Sequence, residues 1–366
     1  MKIAIIGTRG IPAAYGGFET LAEELSARLA ERGHSVTVYA RPGGVAARVP
    51  EHRGVRVVFL PTIRRKYLDT VVHGLLSALH ASAVGYDAIL VCNAINALVC
   101  RLPRLLGAET RVVLNVDGLE RRRRKWNLIG SAAYALSERL AGVLPDAVVS
   151  DARVIQDYYR KTYGLETTFI PYGADLPAPT GTETPGRLGL APGRYLLYVS
   201  RFEPENNPDA VLRGFSLFDG ELKLALVGSA PYAAVFIERL RAEAAQDPRV
   251  VLPGAVYGEG YRELLAGAAA YVHATDVGGT HPALVEAMGF GLPLLVHDTP
   301  ENREVAGSVA LYWDARRPET LAASLSALFS VPEERRLRGE AARARALEKY
   351  RWSDVTEAYE RLLSRA

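Results

Sequence analysis

The chain has 366 residues, of which 49% are hydrophobic and 23% charged, with a net charge of +3. At roughly 150 residues per domain this predicts two soluble globular domains and excludes disorder as the main state. So mild a basicity does not argue for nucleic acid as a partner, and two cysteines, Cys92 and Cys100, are too few for a disulfide framework or a four-ligand metal site. They read as buried thiols, and the histidines show no metal-ligand spacing, so no metal and no cofactor are expected.

Met1-Lys2 leads directly into Ile3-Ala4-Ile5-Ile6-Gly7, a first strand rather than an export signal, so a cytoplasmic location is expected. Further strands are expected at Val36–Arg41, Val55–Pro61, Ala88–Asn93, Arg111–Asp117, Ala147–Ser150 and Thr168–Pro171. Between the first two, Phe18, Leu21, Leu25 and Leu29 fall at helical spacing within Gly17–Arg32. Thr70–Cys100 is too interrupted by Gly, Ser, His and Asn for a membrane span and reads as a buried helix followed by a buried strand. On that helix Asp69 and His73 lie four apart, which suits an acid–base pair or, as the sequence favours, a surface ion pair or a partly buried structural histidine. Leu176–Gly193, rich in Pro, Gly and Thr, reads as a linker. Beyond it strands are expected at Tyr195–Ser200, Lys223–Gly228, Val250–Pro253, Ala270–Ala274, Leu292–His297 and Ala310–Trp313, then helices at Glu333–Lys349 and Trp352–Ala366.

Apolar strands separated by helices predict an α/β protein of two doubly wound, parallel-sheet, Rossmann-like domains. The expected divisions are residues 1–176, a linker at 177–193, a second domain at 194–349, and a helix at 350–366 that crosses back to the first domain. Ligands of such sheets bind beyond the carboxyl ends of the strands, so the cleft between the two domains is the expected active site.

Four loops then carry the chemistry. Gly7-Thr8-Arg9-Gly10 with Gly16-Gly17 leads from a strand into a helix, but it has neither GxGxxG nor Walker A spacing. It is a tight turn or, as Arg9 and Glu19 suggest, a ligand loop. Asp117 ends a central strand as a cap, a turn residue or a cleft-facing carboxylate. Arg121, Arg122, Arg123, Arg124 and Lys125 follow it, with Trp126 beside them. This run is either a solvated face or a contact with phosphates of an acceptor or an anionic membrane surface. Ser200–Pro208 places Arg201 at a strand end, in a salt bridge or on phosphate oxygens, with Asn206 and Asn207 as donors or caps. Thr275–Met288 carries Gly279 and Thr280 at a helix start, Pro282 at its first position, and Glu286 one turn along, where it can accept from ligand hydroxyls.

Together these loops resemble retaining glycosyltransferases of the GT-B fold, the family numbered four. The strings RFEPE and HPALVEAMGFGLPLL carry the general resemblance. GTRGIPAAYGGFET, LPTIRRKYLDT and NVDGLERRRRKW are similar to the N-terminal domain of bacterial rhamnosyltransferases that build surface polysaccharides. The resemblance implies that Arg201 holds the donor diphosphate and Glu286 the ribose or deoxyribose hydroxyls, both with Asp117 as catalytic residues. It implies further donor contacts from Gly7, Arg9, Gly10, Gly16, Gly17, Asn206, Asn207, Gly228, Gly279 and Thr280, with Val256 and Tyr257 framing the base. The partners implied are a nucleotide-diphosphate sugar and a saccharide, lipid-linked acceptor, at the inner face of a membrane. No metal would be needed, and the leaving phosphate oxygen would take the acceptor proton on the same face.

The sequence also departs from the family. A first glutamate eight positions before Glu286 is replaced by Gly278, and a lysine about five positions after Arg201 by Asn206-Asn207. Asp117 stands where a histidine is common, and Arg9 is the expected substitute for the lost cation. The competing readings are a nucleotide-sugar epimerase of the same architecture and a non-catalytic partner subunit; a phosphorylase is disfavoured because no cofactor-lysine segment stands out.

Overall fold

The computed structural model describes all residues except 46, 66–67, 119–120, 122–126, 176–180, 231–232 and 365–366. It divides into two compact units: Met1–Tyr172 with Trp352–Ala366, and Gly173–Arg351.

The first unit is built on an eight-stranded sheet of β1 (Lys2–Ile6), β2 (Ser35–Ala40), β3 (Glu51–His52), β4 (Val55–Phe59), β5 (Ala88–Cys92), β6 (Arg111–Asn115), β7 (Ala147–Ser150) and β8 (Thr168–Phe169). The spatial order is β3-β4-β2-β1-β5-β6-β7-β8. Alternate residues of the central strands feed two cores. Ile3, Ile5, Leu90 and Val113 pack under the helices Gly17–Glu31 and Trp352–Ser364, with Leu25, Val355 and Tyr359. Ala4, Ile6, Ile89 and Leu114 pack on the other face, with Ala78, Ala97 and Ile155 of the helices Asp69–Val84, Ala94–Arg101 and Arg153–Tyr163. Burial on both faces is why these strands read as continuous apolar runs.

The second unit holds β9 (Tyr195–Val199), β10 (Lys223–Val227), β11 (Val250–Gly254), β12 (Ala270–His273), β13 (Leu294–His297) and β14 (Leu311–Trp313). Their order is β11-β10-β9-β12-β13-β14, parallel throughout. The chain starts at β9, fills one side with β10 and β11, then reverses to fill the other. The reversal opens a crevice at the carboxyl ends of β9 and β12. In the first unit β1, flanked by β2 and β5, marks the equivalent point.

Four details differ from the expectations. The short strand β3 runs antiparallel to β4, with Glu51 opposite Arg56, on a sheet expected to be parallel. Two residues give no periodicity to read. Ala94–Arg101 and Leu102–Leu105 are helical where no element was expected. The helix Asp69–Val84, expected to be buried, exposes Val71, Leu75 and Leu79. Within the expected linker, Glu183–Arg187 is a helix whose Thr184 amide donates to Glu263 Oε2 at 2.7 Å, and Leu190 is buried. The Pro and Gly there mark turns, and the Glu263 carboxylate supplies the anchor that composition does not reveal.

Among the described residues, no helix is long and apolar enough to cross a membrane.

Candidate functional site

In the second unit, four loops meet along the carboxyl edge of the sheet. Ser200 N–H donates to the Val227 carbonyl at 3.1 Å and Gly228 N–H to the Gly254 carbonyl at 2.9 Å. Asp276 N–H donates to the Glu205 carbonyl at 2.8 Å. These bonds stitch the loops after β9, β10, β11 and β12 to one another, so the backbone there is fixed before any ligand arrives. Gly228 has φ +158°, and a Cβ on it would stand 1.9 Å from the Ser200 carbonyl oxygen. Only glycine lets β10 and β9 approach this closely.

Arg201 is half-buried at the end of β9, its Nη1 3.7 Å from Glu203 Oε1. That spacing is a loose ion pair with little directionality. Asn206 Nδ2 donates to the Arg201 carbonyl at 2.7 Å, and Asn207 Nδ2 to the Ala274 carbonyl at 2.8 Å. Both amides, expected at the donor, thus brace the loop that carries Arg201, and Asn207 tolerates the left-handed φ of +53° that the turn requires. The Thr275–His281 loop is anchored as firmly. Asp276 Oδ1 pairs with His297 Nε2 at 2.9 Å, and Asn302 Nδ2 donates to the Thr275 carbonyl at 3.0 Å.

Pro282 opens the helix Pro282–Gly289, where its missing N–H costs nothing. Gly279 and Thr280 are buried just before it. His281 is the N-cap, but its side chain makes no capping bond. The ring instead fills the place of a side chain at Gly278: a Cβ on Gly278 would stand 2.2 Å from His281 Cε1. On its other side His281 lies 4.8 Å, centroid to centroid, from His273. His273 is buried beside His297, and burial lowers its pKa to about 3, so it is neutral.

Glu286 is half-buried one turn into the helix, and Tyr261 Oη donates to its Oε2 at 2.6 Å. Burial and the adjacent carboxylate push the Tyr261 phenol well above its ordinary range, so it remains a donor. Tyr261 was not singled out in the sequence. Its only local signal is that it sits one helical turn after Tyr257, past Gly258 (φ +60°). Tyr257 is exposed and Val256 half-buried at the mouth of this loop.

In the first unit, Gly7 (φ +89°) and Gly10 (φ +107°) follow β1. A Cβ on Gly7 would stand 2.3 Å from the Cys92 carbonyl oxygen, and one on Gly10 2.3 Å from Ala40 Cβ. The helix Gly17–Glu31 begins after Gly16. Its carboxylates fold back: Glu19 Oε1 accepts from Arg9 N–H at 2.7 Å and Glu23 Oε2 from Ala13 N–H at 2.6 Å. The Arg9 amide is therefore occupied, while its guanidinium lies 3.5 Å over the Tyr15 ring and makes no ion pair among the described residues. Beneath it, buried Arg41 pairs with Asp69 Oδ2 at 2.8 Å.

Asp117 is half-buried after β6 with φ +53°, its amide donating to Asn115 Oδ1 at 2.9 Å. Asn115 in turn donates through Nδ2 to Tyr359 Oη at 2.7 Å, so the last helix sets the turn that aims Asp117. Cys92 and Cys100 are buried free thiols, pushed up by burial, as expected for core residues. His73 bonds the Ala40 carbonyl at 3.1 Å rather than Asp69, and burial with Arg41 nearby lowers its pKa to about 4. It is the structural histidine. Of the cationic run, only Arg121 is among the described residues; it lies 3.4 Å from Glu138 Oε2 and over the Tyr158 ring. Arg122, Arg123, Arg124, Lys125 and Trp126 lie outside them.

Residues 15–177 match the family model described as Glycosyltransferase Family 4, and residues 193–330 the model described as Glycosyl transferases group 1. No curated relative matches by sequence. Among solved structures, the chain is similar to a sucrose-phosphate synthase from Thermosynechococcus elongatus, with a TM-score of 0.83 and 19% identity over 99% of this chain and 98% of that one. It is also similar to HepE from Anabaena in complex with UDP and glucose (TM-score 0.79, 16% identity, 100% and 99% covered). A third is WaaG, a glycosyltransferase involved in lipopolysaccharide biosynthesis (TM-score 0.75, 16% identity, 100% of both). With a glycosyltransferase model matched on each half, and both sheets in the fold of solved glycosyltransferases, the chain is a glycosyltransferase of the GT-B type.

Proposed function

We propose that the enzyme moves L-rhamnose from dTDP-rhamnose to a lipid-linked saccharide acceptor in surface polysaccharide synthesis, as a member of family four, with retention and without metal. The observation that carries the donor reading is the Glu286 carboxylate held by Tyr261 on the carboxyl edge that also bears Arg201. A fixed carboxylate suits nucleotide hydroxyls, and a planar cation suits a diphosphate. HepE was solved with UDP and glucose, which supports a nucleotide sugar as donor. The rhamnose assignment rests on the first-domain strings.

In this reading the bond between the anomeric carbon and the diphosphate breaks as the acceptor oxygen bonds that carbon from the same face. The acceptor proton passes to the leaving phosphate oxygen. Arg201 and the amides around Gly279 and Thr280 stabilise charge that grows on the leaving group, which lowers the barrier only because they favour the transition state over the ground state. Arg9 supplies the second cation in place of the lysine that Asn206-Asn207 does not provide. Val256 and Tyr257 frame the base. Asp117 orients the acceptor or stabilises positive charge at the anomeric carbon.

Thermal unfolding with dTDP-, UDP- and GDP-sugars tests the donor site directly. A ligand at 100 times its Kd adds about 2.7 kcal/mol of stability. The expected result is a rise in Tm with the dTDP-sugar that Arg201→Ala abolishes, followed by mass-spectrometric detection of sugar transfer. No shift with any of the three sinks the reading.

A further inference from the structure

The second unit has a hollow at the edge of its sheet opposite to the one that bears Arg201 and Glu286. Gly193, Ala269 and Pro293 line it, and they lead into β9, β12 and β13, three adjacent parallel strands. Its volume is about 500 Å³, the size of a small-molecule site. Backbone bonds fix its base. Gly193 N–H donates to the Gly267 carbonyl at 2.8 Å, Ala269 N–H to the Tyr195 carbonyl at 2.8 Å, and Tyr271 N–H to the Pro293 carbonyl at 2.9 Å. Phe290, Leu292 and Pro293 give it an apolar side.

One face of the helix Pro332–Lys349 forms the other side. Arg335, Gly339 and Arg343 stand at i, i+4 and i+8, so they make one stripe along it. Gly339 leaves a gap in that stripe and rests on the turn after Pro282–Gly289. A Cβ on Gly339 would stand 2.2 Å from the Gly291 carbonyl oxygen, and Gly291 has φ +72°. Two glycines thus let helix and turn meet, with an arginine on either side of the meeting point. The two arginines are about 12 Å apart along the helix, a span that two long side chains can close on one anion.

The helix has five arginines, and its packing sorts them. Arg336 pairs with Glu333 Oε1 at 2.6 Å and Glu340 Oε1 at 2.5 Å, and Arg338 with Glu334 Oε1 at 2.7 Å. Arg345 donates to the Glu304 and Val305 carbonyls at 2.8 and 2.7 Å. Arg335 and Arg343, which line the hollow, have no ion pair or hydrogen bond among the described residues. Arg335 lies 4.8 Å over the Phe329 ring, a contact that leaves its N–H donors open. Glu340 is the one carboxylate among the described lining residues, and Arg336 holds it. Arg194, next to Gly193, pairs with Glu221 at 2.8 Å. Three lining arginines against Glu340 and Glu333 sum to +1, with whole unpaired guanidiniums only at Arg335 and Arg343.

We propose that this hollow is a second ligand site that takes an organic phosphate, with the phosphate between Arg335 and Arg343 and an apolar body against Phe290, Leu292 and Pro293. Guanidinium forks match phosphate oxygens, and a phosphomonoester carries about −1.5 to −2 charges at pH 7. Phe290 N–H donates to the Glu286 carbonyl at 2.9 Å, so the site lies at the far end of the helix whose first turns hold the candidate donor groups. The two sites share no side chain and fill independently. The inference rests on neither the sugar nor the donor assignment.

Isothermal titration calorimetry of the whole chain with phenyl phosphate, a small probe that has both parts, is the test. The wild type is expected to bind it at submillimolar Kd, and to bind inorganic phosphate and phenol at least tenfold more weakly. Arg335→Gln/Arg343→Gln is expected to lose at least tenfold in affinity with its Tm at the wild-type value. Arg338→Gln, a paired arginine of the same helix that does not line the hollow, and Arg201→Ala, at the opposite edge, are each expected to bind within twofold of wild type. Absence of wild-type binding, or equal binding by the double variant, would overturn the proposal. So would inorganic phosphate binding as tightly as phenyl phosphate, which marks a general anion surface, or a tenfold loss in Arg338→Gln or Arg201→Ala. Because the nucleotide-induced Tm shift is read separately, its absence would refute the donor reading and leave this site standing.

Discussion

A methyl group on Gly228 would stand 1.9 Å from the Ser200 carbonyl oxygen, in the backbone region that disfavours any Cβ. Gly228→Ala should therefore force β9 and β10 apart at the edge that bears Arg201. The expected cost is roughly 1–3 kcal/mol in urea unfolding, together with a loss of the nucleotide-induced Tm shift. Tyr261→Phe removes one hydrogen bond to a carboxylate and little volume. Nucleotide affinity should fall about tenfold, corresponding to about 1.4 kcal/mol, as read by titration calorimetry, with the unfolding midpoint nearly unchanged. Glu286 was legible in the sequence, because an acid one turn into a glycine- and proline-led helix, among apolar neighbours, has few structural reasons to be there. Tyr261 was not, since its partner lies 25 positions away and only the packing of two helices brings them together. Gly278 reads as a loss in the sequence. In the fold it is the space that the His281 ring occupies.

At the scale of elements, the strands were legible and the helix faces were not. Apolar runs such as Ala88–Cys92 fix strands whatever surrounds them. The face a helix buries depends on its neighbour, and Asp69–Val84 meets the buried Arg41–Asp69 pair and Asn96, whose carboxamide a side chain on Gly74 would strike. Small and polar residues are therefore turned inward and leucines outward. Asp69→Ala should leave Arg41 charged, buried and unpaired. The expected loss is about 3–5 kcal/mol in chemical denaturation, among the largest for an exposed-loop neighbour. His73 and His273, with pKa values of about 4 and about 3 against an ordinary 6.5, are neutral when folded and protonated sooner when unfolded. Their stabilisation is complete above pH 6.5 and is lost as pH falls towards 4, because the unfolded chain then binds the extra protons. His73→Gln should flatten the pH dependence of the unfolding free energy in that window, by about 3 kcal/mol at pH 4.

At the scale of the whole molecule, the first unit is discontinuous in sequence. Trp352, Val355, Tyr359 and Leu363 complete the core beneath β1, β5 and β6, and Tyr359 reaches Asn115 beside Asp117. Deleting the last helix, Trp352–Ser364, should remove several large buried side chains, each worth about 2–5 kcal/mol. Calorimetry should then show one early transition, for the first unit, and one near its original temperature. Two domains were readable from the alternation of strands and helices alone. That the chain returns to finish the first is less legible, because an amphipathic terminal helix does not by itself say which sheet it covers.

The same topology sets an order of events during synthesis. Residues up to Tyr172 leave the ribosome without the helix that closes their core, and roughly 190 residues must follow before it emerges. At about 5–20 residues per second that delay is on the order of 10–40 s. Over most of that interval Gly173–Arg351 is itself still being made, and it is complete just before the closing helix is, while the sheet that began the chain waits throughout with an uncovered apolar face. A nascent chain of this protein should therefore depend on a chaperone longest at its oldest end, the reverse of the usual N-terminal-first sequence.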